Sequence, residues 1–418
     1  MKKILIICDA FPPAFAPRMG YLCKYLPEYG WKPIVMTEYI PQTTYAALAK
    51  DCRNVTYINY YQSNNQLIRT VKYAFVFLAD FFFGYKDRRM IKIARQQIEN
   101  HSISIILTSS YRTFPLRTAH RLSRQYKVPL VVDLRDIIEQ FPGNEHISKK
   151  VAGFELLNRM IANVITGKLY KQRNKVLKDA AFVTTVSPWH VETLRQFARN
   201  VQLIYNGFDP DLFVPESVIS SKFKITYTGR LMSTGLRDPS LLFEAVSALK
   251  TAKKISPDTF RVQFYTDNDS AKTFRQMAWK YQVSDFMDCF GYVPNDKIPE
   301  ILNESSALLL LTNKSTGEKA SKGIMTTKVF EYLAVEKPVL CIRNDEGCLA
   351  ATIRETQAGL AADRVDQVEQ FLLEKYDEWK QNGFTHQQVD RQKVIQFSRK
   401  EQANQFLLIF NALIATTN

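Results

Sequence analysis

The chain has few glycines and no patterned cysteines, and both shortages remove classes of chemistry. Fifteen glycines are spread over 418 residues and no two stand one residue apart, so a G-x-G-x-x-G dinucleotide loop cannot occur. G-x-x-x-x-G-K-[ST], G-x-S-x-G and H-E-x-x-H are missing too, which excludes P-loop, hydrolase-elbow and zincin chemistry. The six cysteines, Cys8, Cys23, Cys52, Cys289, Cys341 and Cys348, form no C-x-x-C and have no histidine-rich spacing around them. Neither a disulfide framework nor a zinc cluster is indicated. Long hydrophobic runs are missing as well. The apolar run after Lys2 and Lys3 is about six residues, too short for a signal-peptide core of roughly 7 to 15. The most apolar later stretch, Tyr73 to Tyr85, contains Asp80 and falls short of the roughly 20 residues that span a bilayer. The expected location is cytoplasmic, with room for peripheral association at the inner face of the cytoplasmic membrane.

What is present is a globular composition, 46% hydrophobic, 12% aromatic and 23% charged, on a length that suits two domains. The net charge of +15 is uneven. Residues 1 to 210 hold 30 Lys and Arg against 15 Asp and Glu, and the remainder holds 26 of each. The whole excess therefore sits in the first half, which should favour an anionic partner such as a lipid surface or a phosphorylated acceptor. Solvated charge serving solubility alone would look the same. No nucleic-acid partner is expected, because the basic residues are scattered and no recognised motif accompanies them.

Short apolar runs alternate with amphipathic segments throughout, the pattern of βα units and a parallel sheet. In the first half the strand candidates are 3–8, 32–37, 54–59, 104–107, 130–134, 182–186 and 201–205. A second series begins at 224–229 and continues with 260–266, 286–291, 307–312 and 338–342. The expected fold class is α/β, with two doubly wound parallel-sheet domains facing each other across a cleft. The linker falls near 206–218, where an Asn-Gly turn and two prolines punctuate YNGFDPDLFVPE. The domains are set at 1–208 and 209–390, and 391–418 is expected to be a C-terminal helix packing back toward the first domain.

In such sheets ligands sit outside the carboxyl ends of the strands. The loop from Asp9 to Gly20 is long, and long loops in compact domains are usually functional. Pro17 near a helix start and Gly20 in its first turn leave N–H groups open to an anion, and Arg18 adds positive charge. In the second domain, Gly229 and Arg230 directly follow a strand and Arg237 opens the next helix, so the two guanidinium groups could clamp a diphosphate. Arg237 could equally pair with Asp238 or Glu244 on the surface. The densest stretch is Lys322 to Leu340. Taken alone, Lys328 and Glu331 read as an i,i+3 ion pair. Thr326 and Thr327 just before them make a helix N-terminus suited to phosphate, and Glu331 could hold vicinal hydroxyls.

The motifs FPPAFAPRMG, VVDLRD (131–136), YNGFDPDLF (205–213), YTGRL (227–231), FGYVPNDKIPEIL (290–302) and KVFEYLAVEKPVL (328–340) resemble, in order, those of the retaining glycosyltransferases of the GT-B fold, in particular family 4. The resemblance spans almost the whole chain. It implies two Rossmann-like domains and transfer of a sugar from a nucleotide-diphosphate donor, with UDP as the default nucleotide. The acceptor would be a saccharide, and the basic first half argues for a lipid-linked one, in surface polysaccharide or glycoconjugate biosynthesis. Residue by residue, the resemblance brings Gly20 to the donor diphosphate, makes Arg230 the diphosphate arginine and Glu331 the ribose-binding glutamate, and places Tyr292 and Val293 beside the base.

There are two departures from the family pattern. Its first glutamate falls at Gly323, and its diphosphate lysine has no direct match, Lys328 being the preferred substitute over Arg237. On the acceptor side the candidates are Arg112, His120 and Asp136, with Arg18 from the first loop. His120 could equally sit on a helix face, and Asp136 could simply pair with Arg135. Asp267-Asn268-Asp269 has a D-x-D pattern that elsewhere holds a divalent ion, but a solvated turn is the preferred reading. No cofactor and no metal are expected. The alternatives are a catalytically silent GT-B protein that binds sugar nucleotides, which Gly323 would favour, and a GT-B epimerase. For a membrane contact, Phe75, Phe77, Phe81, Phe82 and Phe83 stand near Lys86, Arg88 and Arg89; a core helix is the competing reading.

Overall fold

The computed structural model describes residues 1–110, 113–140, 155–231, 237–312, 325–343 and 348–415. The chain divides into two units, Met1–Tyr205 with Gln402–Asn418, and Asn206–Glu401.

The first unit is built on a seven-stranded sheet: β1 (Lys2–Cys8), β2 (Trp31–Glu38), β3 (Val55–Ile58), β4 (Ile103–Ser110), β5 (Leu130–Leu134), β6 (Phe182–Thr185) and β7 (Val201–Leu203). Its order is β3-β2-β1-β4-β5-β6-β7 and every pairing is parallel. The strands read as unbroken apolar runs because helices cover both faces. In β1, Leu5 and Ile7 enter one apolar cluster, with Met90, Ala94, Leu116 and Leu122, while Ile4, Ile6 and Cys8 enter the other. That second cluster is completed from the far end of the sequence. Ala403, Phe406, Leu407, Ile409 and Phe410 of the helix Arg399–Ala415 pack there with Trp31 and Tyr25, and the rings of Trp31 and Phe410 are 5.4 Å apart.

The second unit has six parallel strands: β8 (Phe223–Thr228), β9 (Phe260–Tyr265), β10 (Met287–Phe290), β11 (Ala307–Leu311), β12 (Val339–Ile342) and β13 (Gly359–Ala362), in the order β10-β9-β8-β11-β12-β13. One face carries an aromatic core in which Phe223, Phe260, Phe264, Phe243 and Phe274 are fully buried. β13 is absent from the strands expected from sequence. Its residues, Gly-Leu-Ala-Ala, carry little β-branched or aromatic signal. It is placed instead by close approach: a Cβ on Gly359, whose φ is +152°, would collide with the backbone of Val339. All six cysteines are free thiols.

Candidate functional site

In the second unit, basic side chains gather at the carboxyl ends of β8 and β12. The helix Thr327–Ala334 is held against β8 by Tyr332, whose hydroxyl lies 3.2 Å from the backbone N of Thr228 and 3.1 Å from its Oγ1. That anchor orients Lys328 one turn earlier. Its Nζ lies 5.0 Å from the centre of the Tyr227 ring, and its chain crosses the backbone at Gly229. A Cβ on Gly229 would meet the Cε and Nζ of Lys328, and its φ of +106° is one that side-chain-bearing residues rarely adopt. The positive φ calls for glycine, and its missing side chain leaves the space through which the end of Lys328 passes.

Among the described residues Lys328 and Glu331 form no ion pair with each other, so the local i,i+3 reading does not hold. The lysine is directed to the strand end instead. Burial, and then the nearby Arg237 charge, lower its pKa to about 7, against a smaller opposing effect of Glu331. Burial raises Glu331 to about 7, opposed by Lys328 and Arg399. Both side chains are half-buried, and in each burial shifts the balance toward the neutral form when no ligand supplies a counter-charge or hydrogen-bond partner.

Arg230 is the solvent-facing member of the group, its side chain 64% exposed and its Nε 3.8 Å from Asp267 Oδ2. Its carbonyl is fixed by two donors, the Tyr227 hydroxyl at 2.7 Å and Arg237 Nη1 at 2.9 Å. Arg237 is thus joined to Arg230 through the backbone. Of the surface partners considered for it, Asp238 pairs with Arg343 at 3.4 Å and Glu244 accepts from the Tyr281 hydroxyl at 3.1 Å. Arg343, at the carboxyl end of β12, also donates to Ser240 Oγ at 2.7 Å. Like Arg230, Arg343 is a basic residue directly after a strand, and the sequence signal that marks the one marks the other.

Thr326 is the N-cap of the helix, and its side chain makes no capping bond; Thr327 begins the first turn. Tyr292 is exposed and Val293 half-buried just beyond β10, where Phe290 stacks on Tyr265 at 4.7 Å. Asp267 of the D-x-D stretch is a helix N-cap. It accepts from the backbone N of Asp269 and Ser270, and the Ser270 hydrogen bond lowers its pKa. Gly323 lies outside the described residues.

In the first unit several acceptor-side candidates are structural. The helix after the first loop does begin with Pro17 at its first position, but Arg18 is 2% exposed and its guanidinium is committed. It makes paired bonds to Asp133 at 2.9 to 3.1 Å and reaches the carbonyls of Tyr205 and Ile204. Asp133 also accepts from Ser109 and Thr184. The fixed positive charge expected for a ligand is thus neutralised inside the fold. Gly20 is buried, and a Cβ there would lie 2.6 Å from Pro12 and 2.9 Å from Leu48; close packing accounts for it. His120 lies within the helix Leu116–Tyr126, its Nε2 2.7 Å from Asp179 Oδ2. Asp179 precedes β6, so His120 is directed to the amino-terminal edge of the sheet, away from where ligands bind. Asp136 does follow the carboxyl end of β5, with its carboxyl pKa raised by burial. Its neighbour Arg135 pairs with Asp9 at 2.8 Å and not with Asp136. Arg112 lies outside the described residues.

Sequence reasoning missed His190. It is buried just after β6, with Nδ1 3.0 Å from Thr185 Oγ1 and Nε2 without a partner, and burial lowers its pKa to about 4.

No family model matches the sequence, and no curated protein matches it. Solved structures do match over essentially the whole chain. A glycosyltransferase from Rickettsia africae aligns with a TM-score of 0.61 at 15% identity, covering 99% of this chain and 98% of that one. Sucrose-phosphate synthase from Thermosynechococcus elongatus aligns at 0.57 with 14% identity, covering all of both chains. Anabaena HepE, solved in complex with UDP, aligns at 0.56 with 15% identity, covering 100% of this chain and 99% of that one. The chain has the GT-B fold. Within a GT-B protein the second unit is the Rossmann-like domain that carries Gly229, Arg230, Arg237, Lys328 and Glu331, and the first is the one that carries Asp136.

Proposed function

We propose that this GT-B protein is a retaining glycosyltransferase that moves a sugar from a UDP-sugar to a saccharide acceptor, lipid-linked, in surface polysaccharide or glycoconjugate biosynthesis. The observation that carries the donor half of the proposal is the juxtaposition of Lys328 with Gly229 and Tyr227 at the end of β8, one helical turn from Glu331. Two half-buried groups of opposite type within one turn suit a ligand that is anionic at one end and hydroxyl-bearing at the other. A nucleoside diphosphate is such a ligand, and the HepE structure contains one.

In this reading Arg230 and Lys328 stabilise the departing diphosphate, assisted by Arg237 and by the backbone N–H groups at Thr326 and Thr327. Glu331 accepts from the ribose hydroxyls, and Tyr292 and Val293 flank the base. The acceptor hydroxyl attacks from the face the diphosphate leaves, so rate comes from positioning and electrostatics and no protein nucleophile is needed. On the acceptor side, Asp136 is assigned the role of taking a proton. Charge neutralisation falls to side chains, so activity is expected to survive chelation of divalent ions by EDTA.

Calorimetric titration with UDP at neutral pH tests the reading. Glu331→Gln is expected to lose about 1.5–3 kcal/mol of binding, the worth of a hydrogen bond to a charged group. If folded protein bound no nucleoside diphosphate, the donor assignment would fail. Formation of an epimerised UDP-sugar without any acceptor would make the protein an epimerase instead.

A further inference from the structure

The helix Gln66–Phe83 is among the most apolar in the chain, yet it is almost wholly exposed. Val76 is the one buried residue of its 18. Leu67, Val71, Phe75, Leu78 and Phe82 recur at spacings of four, four, three and four residues, which aligns them in one stripe on the side away from Val76. Leu67 is 78% exposed and Phe82 68%. A core helix, the competing expectation from sequence, is excluded by these values.

The stripe continues onto a second element. Lys168 of the helix Glu155–Asp179 donates to the carbonyl of Phe81 and lies 4.0 Å from the centre of its ring. Val164 and Met160, one and two turns earlier on the same face of that helix, are 67% and 66% exposed. Exposed cations accompany the strip: Arg88, Arg89 and Lys92 stand on the helix Tyr85–Asn100 that follows it, while Arg69 and Lys72, seven and four residues before Val76, are exposed on that residue's side of the first helix. The nearby carboxylates are turned inward. Asp80 accepts from the backbone N of Lys86, and Asp87 is buried against Thr118.

We propose that this face docks the protein on an anionic lipid bilayer, with the aromatic and aliphatic stripe entering the interfacial region and the basic rim on the headgroups. No helix among the described residues is long and apolar enough to cross a membrane, so the contact lies on the surface. A helix with an apolar stripe and a cationic border binds such an interface by buried apolar area plus electrostatic attraction. A second copy of the chain fits less well, since pairing two such stripes brings two sets of Arg and Lys together across the rim.

The test is cosedimentation at low salt with vesicles of phosphatidylcholine and phosphatidylglycerol in equal parts, against phosphatidylcholine alone. The protein is expected to bind the anionic vesicles roughly tenfold or more tightly. Leu78→Glu combined with Phe82→Glu is expected to lower binding at least tenfold, since both side chains are exposed and insertion depends on them. Arg88→Glu combined with Arg89→Glu is expected to reduce binding of anionic vesicles to the neutral level. Circular dichroism and melting temperature establish that each variant is folded without reference to UDP, so failure here is distinguishable from failure of the donor-site reading. No cosedimentation, or variants that bind like the parent, overturns the proposal. So does a concentration-dependent dimer in sedimentation velocity that the Leu78 and Phe82 changes abolish, which would give the stripe to a second copy.

Discussion

Lys328 is held where its charge is disfavoured, and this has consequences for both binding and stability. Its pKa in the folded chain is lowered to about 7, so at neutral pH folding removes the lysine from conditions in which it would be fully charged. The penalty is full below the folded value of about 7, shrinks as the pH rises from there toward the ordinary lysine value of 10.5, and is absent above it. Replacing it by methionine, similar in length and apolar, is expected to raise the melting temperature by about 2–4 °C for each 1 kcal/mol relieved, and to weaken UDP binding. Calorimetric scans and titrations of the same variant check both. The pair also sets a pH profile. The lysine holds its proton below about 7 and the glutamate loses its proton above about 7. UDP affinity is expected to fall in both directions from neutrality, with the alkaline limb missing in Lys328→Met. A flat profile in the parent protein would argue against both groups touching the ligand.

At the scale of elements, the strands were legible because a parallel sheet covered on both faces needs near-continuous apolar runs, and runs such as ALLLL in β11 have no other use. β13 was not legible, since Gly359 to Ala362 hold their place by the close fit of glycine against Val339, which leaves no mark in hydropathy. The helix starts were read correctly at Pro17, but the purpose of Arg18 was not. Its partner Asp133 is 115 residues away in sequence, and no local pattern announces such a pairing. In the same way, the apolar content of Gln66–Phe83 was plain, while its exposure depends on which neighbours pack against it. The buried Arg18–Asp133 pair bears on stability. Asp133→Ala would leave a guanidinium at 2% exposure without its carboxylate, and is expected to destabilise the first unit by about 3–5 kcal/mol. Denaturant melts give the value; a loss below about 1 kcal/mol would show that water or another group replaces the carboxylate.

Over the whole molecule, the division of charge matches the division of labour proposed here. The second half is neutral overall and gathers a few of its cations at the ends of β8 and β12, while the first carries the excess and presents part of it beside an apolar stripe. The last helix belongs to neither half of the sequence in isolation. Phe406 and Phe410 are fully buried in the first unit, and Phe410→Ala is expected to cost about 3–5 kcal/mol, measured by denaturant unfolding. A smaller effect, comparable with an exposed substitution, would mean that the helix is not integral to that core.

This arrangement also orders events during synthesis. When the first 205 residues have left the ribosome, one face of their sheet still lacks the side chains that cover Trp31 and Tyr25. The second unit, contiguous from Asn206 to Glu401, is complete in sequence before that cover exists. The domain made first is therefore the domain finished last, and for the duration of one domain's translation its open apolar face is the part of the nascent chain most in need of a chaperone.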